Sequence, residues 1–88
     1  MSGELQLEQF PCFYTFKIFG RNNESFVERV REVMGETLGE VAQDSIKLRH
    51  STQGRYLSMT VYIRVESRAQ LERVYTDLRA EPELLLYI

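Results

Sequence analysis

Residues 55–65 read RYLSMTVYIRV, and the stretch divides cleanly by parity. Leu57, Met59, Val61, Ile63 and Val65 form one unbroken apolar row, while Tyr56, Ser58, Thr60, Tyr62 and Arg64 form the other. Successive side chains of a strand point to opposite faces, so this alternation reads as a half-buried β-strand with one row in a core. The second row then needs an environment of its own.

Working back toward the N-terminus, STQG at 51–54 supplies a turn, and SIKLRHS at 45–51 alternates again, with Ile46 and Leu48 opposed to Lys47 and Arg49. CFYTFKIF at 12–19 is rich in aromatic and β-branched residues. It sets Tyr14, Phe16 and Ile18 against Phe13, Thr15, Lys17 and Phe19, and Gly20 ends it. Between these strands RNNESFVERVREVMGETLG changes period. Phe26, Val30, Val33, Met34 and Leu38 recur at three- and four-residue steps, the apolar stripe of a helix that Asn22, Asn23 or Ser25 can cap and Gly39 can end. Toward the C-terminus, Ser67 lies three residues before Gln70 in a capping-box arrangement, and Leu71, Val74, Tyr75 and Leu78 make a second helical stripe. Pro82 punctuates its exit. Leu84, Leu86 and Ile88 then alternate with Leu85 and Tyr87 in a last strand.

The order is βαββαβ. Two strand–helix–strand units in one short chain predict a ferredoxin-like α+β sandwich, a four-stranded antiparallel sheet in order 4-1-3-2 with both helices on one face. Residues 1–9 are polar and read as a loosely packed lead-in, and residues 10–88 as the single domain. A chain of 88 residues buries only a little over roughly 60% of its unfolded surface, enough for one core and no further layer.

Composition excludes several functions. With 43% hydrophobic and 27% charged residues and a formal net charge of -2, neither disorder nor a polybasic tail is indicated. The longest apolar run, LLLYI at 84–88, falls far short of the ~20 residues that span a bilayer, and MSGELQLEQF lacks the basic and apolar regions of a signal peptide. These features lead us to expect a cytoplasmic protein with no membrane partner. The single Cys12 cannot form an internal disulfide. One cysteine and one histidine give no metal site at a recognisable spacing, and no cofactor is implied. Cys12 opens the first strand and His50 closes the second, so the one nucleophile–base pair worth considering lies at opposite ends of the sheet. No catalytic residues are assigned, and the chain reads as non-enzymatic.

FPCFYTFKIFG at 10–20, STQGRYLSMTVYI at 51–63 and LERVYTDL at 71–78 resemble, in order and in register, the corresponding stretches of the YbeD-like family of small bacterial proteins. The resemblance implies a ferredoxin-like fold similar to ACT-type regulatory domains, a bacterial cytosolic setting, no established activity and no catalytic residues. Two positions depart from the family: Phe13, where the family carries proline, and Leu85, where it carries a basic residue.

Two surfaces can carry function. The uncovered sheet face is expected to present Phe13, Phe19, Tyr56, Tyr62 and Tyr87 with Lys17, Lys47, Arg49 and Arg64, and none of the thirteen acids. Exposed aromatic patches of this kind mark contact sites. Self-association into a homodimer, through this face or a sheet edge, is the first expectation, and a protein partner with an acidic or apolar surface the second. Single-stranded nucleic acid ranks below both, because QGRYLSMTVYI lacks the glycine–aromatic signature of RNA-recognition motifs. The other surface is the loop FGRNNES. By resemblance to ACT-type domains, Gly20, Arg21, Asn22 and Asn23 could receive a small carboxylate such as an amino acid near the positive end of the helix dipole, giving a regulatory module. STQG with Arg55 reads first as a plain hairpin loop, with an anion-binding turn as the second alternative.

Overall fold

The chain is described by a computed structural model over residues 9–87. Except for Gln9, the expected lead-in lies outside the described residues, as does Ile88 at the end of the last strand. Strands β1 (Cys12–Arg21), β2 (Ile46–His50), β3 (Tyr56–Val65) and β4 (Leu84–Tyr87) alternate with helices α1 (Glu24–Leu38) and α2 (Arg68–Arg79), and a short 3-10 turn, Gln43–Ser45, precedes β2. The sheet order is β2-β3-β1-β4 with every neighbouring pair antiparallel, which is the expected 4-1-3-2 arrangement.

The apolar row of β3 decides this packing. Leu57, Met59, Val61 and Val65 are buried, Ile63 packs partly against them, and Phe16 and Ile18 of β1 lie on the same side. Against that side α1 sets Phe26, Val30 and Met34 and α2 sets Leu71, Val74 and Leu78, so both helices cover one face of one sheet. Burying a side chain of this size contributes ~1.5–3 kcal/mol, which makes this single layer of contacts the main source of stability. Val41, in the segment between α1 and the 3-10 turn, is also buried, and its carbonyl accepts from Arg31 Nη2 at 3.0 Å.

The helix ends follow from the capping residues. Asn23 Oδ1 accepts from the Ser25 N–H at 2.8 Å, and Gly39 closes α1 at φ 88° with its N–H on Gly35 O. At α2, Ser67 Oγ accepts from the Gln70 N–H while Gln70 Oε1 accepts from the Glu66 N–H. Gln70 Nε2 also donates to Thr37 O, tying the start of α2 to the end of α1. Gly54, at φ 74°, completes the turn between β2 and β3 by donating to Ser51 O at 2.9 Å.

One register feature departs from the alternation read in the sequence. β4 pairs Leu86 with Phe19 and Tyr87 with Ile18, but Leu84 rather than Leu85 with Gly20. This bulge inserts an extra residue and shifts the facing of the strand on either side of it. Tyr87 therefore stands opposite core-facing Ile18, on the helical side. Its ring lies 5.1 Å from that of Tyr75, and its hydroxyl accepts from Arg79 Nη1 at 3.1 Å. The expectation that Tyr87 lies on the uncovered face is corrected by this arrangement.

Candidate functional site

The uncovered face is organised by cross-strand register. β1 pairs Phe13 with Arg64, Thr15 with Tyr62, Lys17 with Thr60 and Phe19 with Ser58; β2 pairs Lys47 with Thr60 and Arg49 with Ser58. Lys17, Thr60 and Lys47 consequently form one row across three strands, and Phe19, Ser58 and Arg49 the next. Residues opposite one another on one face lie ~4.5–5.5 Å apart, so the three cations border a floor of small hydroxyl side chains. None of the three has an ion-pair partner among the described residues.

At one end of this floor Phe13 and Tyr62 are 53% and 56% exposed, and their rings pack at 5.2 Å between centroids with a 48° tilt. Tyr56 is exposed at the other end, where it pairs with Arg21, and Phe19 is half-buried. Arg64 differs from the other cations because its Nε lies 2.8 Å from Glu66 Oε2. Glu66 is thus an acid on the border of the face. Asp44 is another, helping with Lys47 and Tyr62 to line a depression of about 350 Å³. Both acids lie beyond the strand ends, and the paired positions of β1, β2 and β3 on this face carry none.

The loop at the start of α1 is built tightly. Gly20 is buried; a Cβ there would stand 2.4 Å from two Phe26 ring carbons and 2.9 Å from Glu83 O, so its glycine serves close packing. The Arg21 N–H donates to Glu83 O, and its Nε lies 3.7 Å from Glu83 Oε1. Asn22 ties the loop to the β2–β3 turn twice, by N–H to Arg55 O at 2.9 Å and by Nδ2 to Gly54 O at 2.7 Å. Asn23 is the helix cap. In the STQG turn the Gly54 N–H is occupied by Ser51 O and the Tyr56 N–H by Ser51 Oγ, leaving Arg55 as the exposed cation beside it.

Beside this loop a groove of about 490 Å³ separates α1 from β2. Asn22, Asn23 and the apolar Val27, Leu48 and Leu57 line it, together with Glu24 and Glu28 of α1 and His50 of β2. Gly20 and Arg21 do not reach it. The nearest charges on the helix are negative, which suits a cation better than a carboxylate. Leu48 explains why the groove is not evident from pattern alone: it pairs with buried Met59 and has core parity, yet remains 45% exposed because no helix extends over the edge strand. The signal available in the sequence was the position of its short strand at the sheet edge.

Cys12 and His50, the nucleophile–base pair considered from the sequence, are not brought together. Cys12 pairs with Val65 and His50 with Leu57, so eight residue steps along β3 separate them, roughly 26 Å at ~3.3 Å per step. Among the described residues no cluster of three or more His, Cys, Asp or Glu is placed to hold a metal, and no helix is long and apolar enough to cross a membrane.

Residues 6–88 match the family described as Protein of unknown function (DUF493). A UPF0250 protein of Chromobacterium violaceum is 36% identical over 83 residues, covering 93% of each chain, and one of Paraburkholderia phytofirmans is 34% identical over 76 residues, covering 86% of this chain and 85% of its own. The solution structure of protein HP0495 from H. pylori covers 92% of this chain and 85% of its own, with a TM-score of 0.68 at 13% identity, and so shares the fold. The chain belongs to the DUF493 family of proteins of unknown function, and the resemblance read at 10–20, 51–63 and 71–78 is to its bacterial UPF0250 members.

Proposed function

We propose that this chain is a non-enzymatic contact module that engages an acidic protein surface through its open sheet face. The observation that carries the reading is the convergence of Lys17, Lys47 and Arg49 around Thr60 and Ser58, with no ion pair among the described residues, beside the exposed Phe13–Tyr62 ring pair. Cations at the border of a face steer an acidic partner and set its orientation, and a compact aromatic anchor supplies the burial that holds it.

The same geometry weighs against the other partners. A two-fold pairing of this face with itself would bring three unpaired cations of each copy against those of the other. Stacked single-stranded bases need flat rings presented along the strand centres, where this sheet offers Thr15, Ser58 and Thr60, and its two most exposed rings already pack on each other. A regulatory carboxylate at the α1 loop would meet Glu24 and Glu28, with Asn22 and Asn23 already engaged.

The test is a titration of isotopically labelled protein with a glutamate-rich peptide carrying one leucine or phenylalanine anchor, in parallel with an oligouridine. The peptide should perturb the amides of Lys17, Lys47 and Tyr62, weaken with added salt, and lose binding in the Lys17→Glu, Lys47→Glu double variant. Binding of oligouridine in its place, or peptide shifts confined to other surfaces, would remove the reading.

A further inference from the structure

The second surface is the outer edge of β2. In an antiparallel pair, residues alternate between facing their neighbour's backbone and facing away. The Ser51 N–H donates to Tyr56 O, which places residues 51, 49 and 47 toward β3 and residues 50, 48 and 46 toward the outside. The Ile46 N–H is taken by Gln43 O. Leu48 and His50 are therefore left with backbone groups that no strand covers, since β2 ends the sheet. Such an edge is a template for another extended chain unless something blocks it.

What flanks this edge limits the chain it can accept. On the open face, Lys47 and Arg49 stand above it without ion pairs among the described residues. On the helical side lies the groove of about 490 Å³, with Val27, Leu48 and Leu57 as its floor and Glu24 and Glu28 on its α1 wall. Glu24 has no ion pair among the described residues, and Glu28 meets only Arg31, at 3.9 Å. From this placement we infer that β2 is the docking edge for an extended segment of a partner protein in which acidic residues alternate with arginine or lysine. Its acids lie over Lys47 and Arg49. Its long cationic side chains lay their aliphatic stems on Leu48 and Val27 and bring their heads to Glu24 and Glu28.

A second copy of this chain is the wrong occupant. Antiparallel pairing of β2 with itself about Leu48 sets Lys47 opposite Arg49 on one face and turns both acidic α1 walls toward the same groove space, and like charges directly opposite are destabilising. The edge thus rejects itself and selects a complementary strand. This surface goes beyond the open-face reading: it shares Lys47 and Arg49 with that face, but uses neither Lys17 nor Tyr62.

The experiment titrates the labelled full chain with a nine-residue peptide of alternating Glu and Arg. Three comparisons accompany it: a peptide of the same composition with Glu and Arg in blocks, the alternating peptide N-methylated along its backbone, and the Glu24→Lys, Glu28→Lys double variant. The alternating peptide should shift the amides of Val27, Leu48 and His50 and slow hydrogen exchange at Leu48 and His50. Blocking the sequence, N-methylation and the double variant should each weaken binding at least ten-fold, while Lys17→Glu and Tyr62→Ala change it less than two-fold. Equal binding by the blocked or N-methylated peptide, unchanged exchange at Leu48, or no shift at millimolar peptide would overturn the inference. Loss of binding in Lys17→Glu or Tyr62→Ala would transfer it to the open face and equally overturn the inference.

Discussion

Gly20 and Phe26 occupy adjoining space so closely that a Cβ on Gly20 would stand 2.4 Å from both Cε2 and Cζ of the Phe26 ring. Phe26 is fully buried, and on its other side Gly20 meets the Glu83 carbonyl, so neither wall can retreat freely. Gly20→Ala should therefore destabilise the fold by ~1–3 kcal/mol, the usual range for overpacking. That corresponds to a fall in Tm of ~4–8 °C for each kcal/mol in a domain of this size. Adding Phe26→Leu should recover part of the loss, because the smaller side chain vacates the space the methyl group needs. Thermal unfolding of the two variants checks this, and a neutral Gly20→Ala would contradict the packing account.

Asn22 and Asn23 are adjacent but have different tasks. Asn23→Ala removes a helix cap and should cost ~1 kcal/mol. Asn22→Ala leaves α1 capped but releases the side-chain bond to Gly54 O, with a loss of ~0.5–1.5 kcal/mol and faster hydrogen exchange in the 51–56 turn. Were these residues kept for a small carboxylate, the two variants would change ligand response more than basal stability. Denaturant unfolding with and without millimolar amino acids separates the two accounts, and the expected result is a stability loss that the amino acids leave unchanged.

The strands and helices were legible because their apolar periods are uninterrupted: Leu57 to Val65 in steps of two, and Phe26, Val30 and Met34 in steps of four. Strand order followed from topology, since two crossovers in so short a chain leave few arrangements. The facing of Tyr87 was not legible. A bulge is decided by how β4 fits beside Phe19 and Gly20, which no local pattern in Leu84–Tyr87 records. Nor was the groove, because alternation gives Leu48 its face but not how far α1 extends over it. The cation set was mostly readable from parity. Arg64 was the exception, since its partner Glu66 lies just beyond the strand, where parity no longer applies.

On the open face, charge and ring contacts should separate experimentally. Lys17, Lys47 and Arg49 have no ion pairs among the described residues, so Lys17→Gln and Lys47→Gln should change stability by less than ~0.5 kcal/mol. Phe13→Ala should cost ~0.5–1.5 kcal/mol through the lost contact with Tyr62, and a double-mutant cycle with Tyr62→Ala should return a coupling of that size. The pattern identifies a face whose cations are dispensable for folding and whose rings also stabilise the monomer. A large loss from either lysine variant would show that the cations support the fold.

Arg29 and Glu81 join α1 to the turn after α2 through a paired contact of Nε with Oε1 and Nη2 with Oε2. Glu81 is only 8% exposed, the one buried charged residue among those described, so removing Arg29 strands a carboxylate that water reaches poorly. Arg29→Gln should lower Tm, and a following Glu81→Gln should restore part of it by removing the orphaned charge. The pH dependence has a definite sign. The hydrogen bond to Glu81, and then its negative charge, raise the Arg29 pKa above the ordinary arginine value. A folded-state pKa raised in this way contributes stability that is complete below the unfolded value and is lost only as pH climbs past it. The Arg29 contribution is thus constant through the neutral range, and the Tm difference between the natural chain and Arg29→Gln should stay level from about pH 6 to about pH 9, far below arginine titration. A difference that shrinks steadily across that interval would show that the guanidinium is not what stabilises the buried carboxylate.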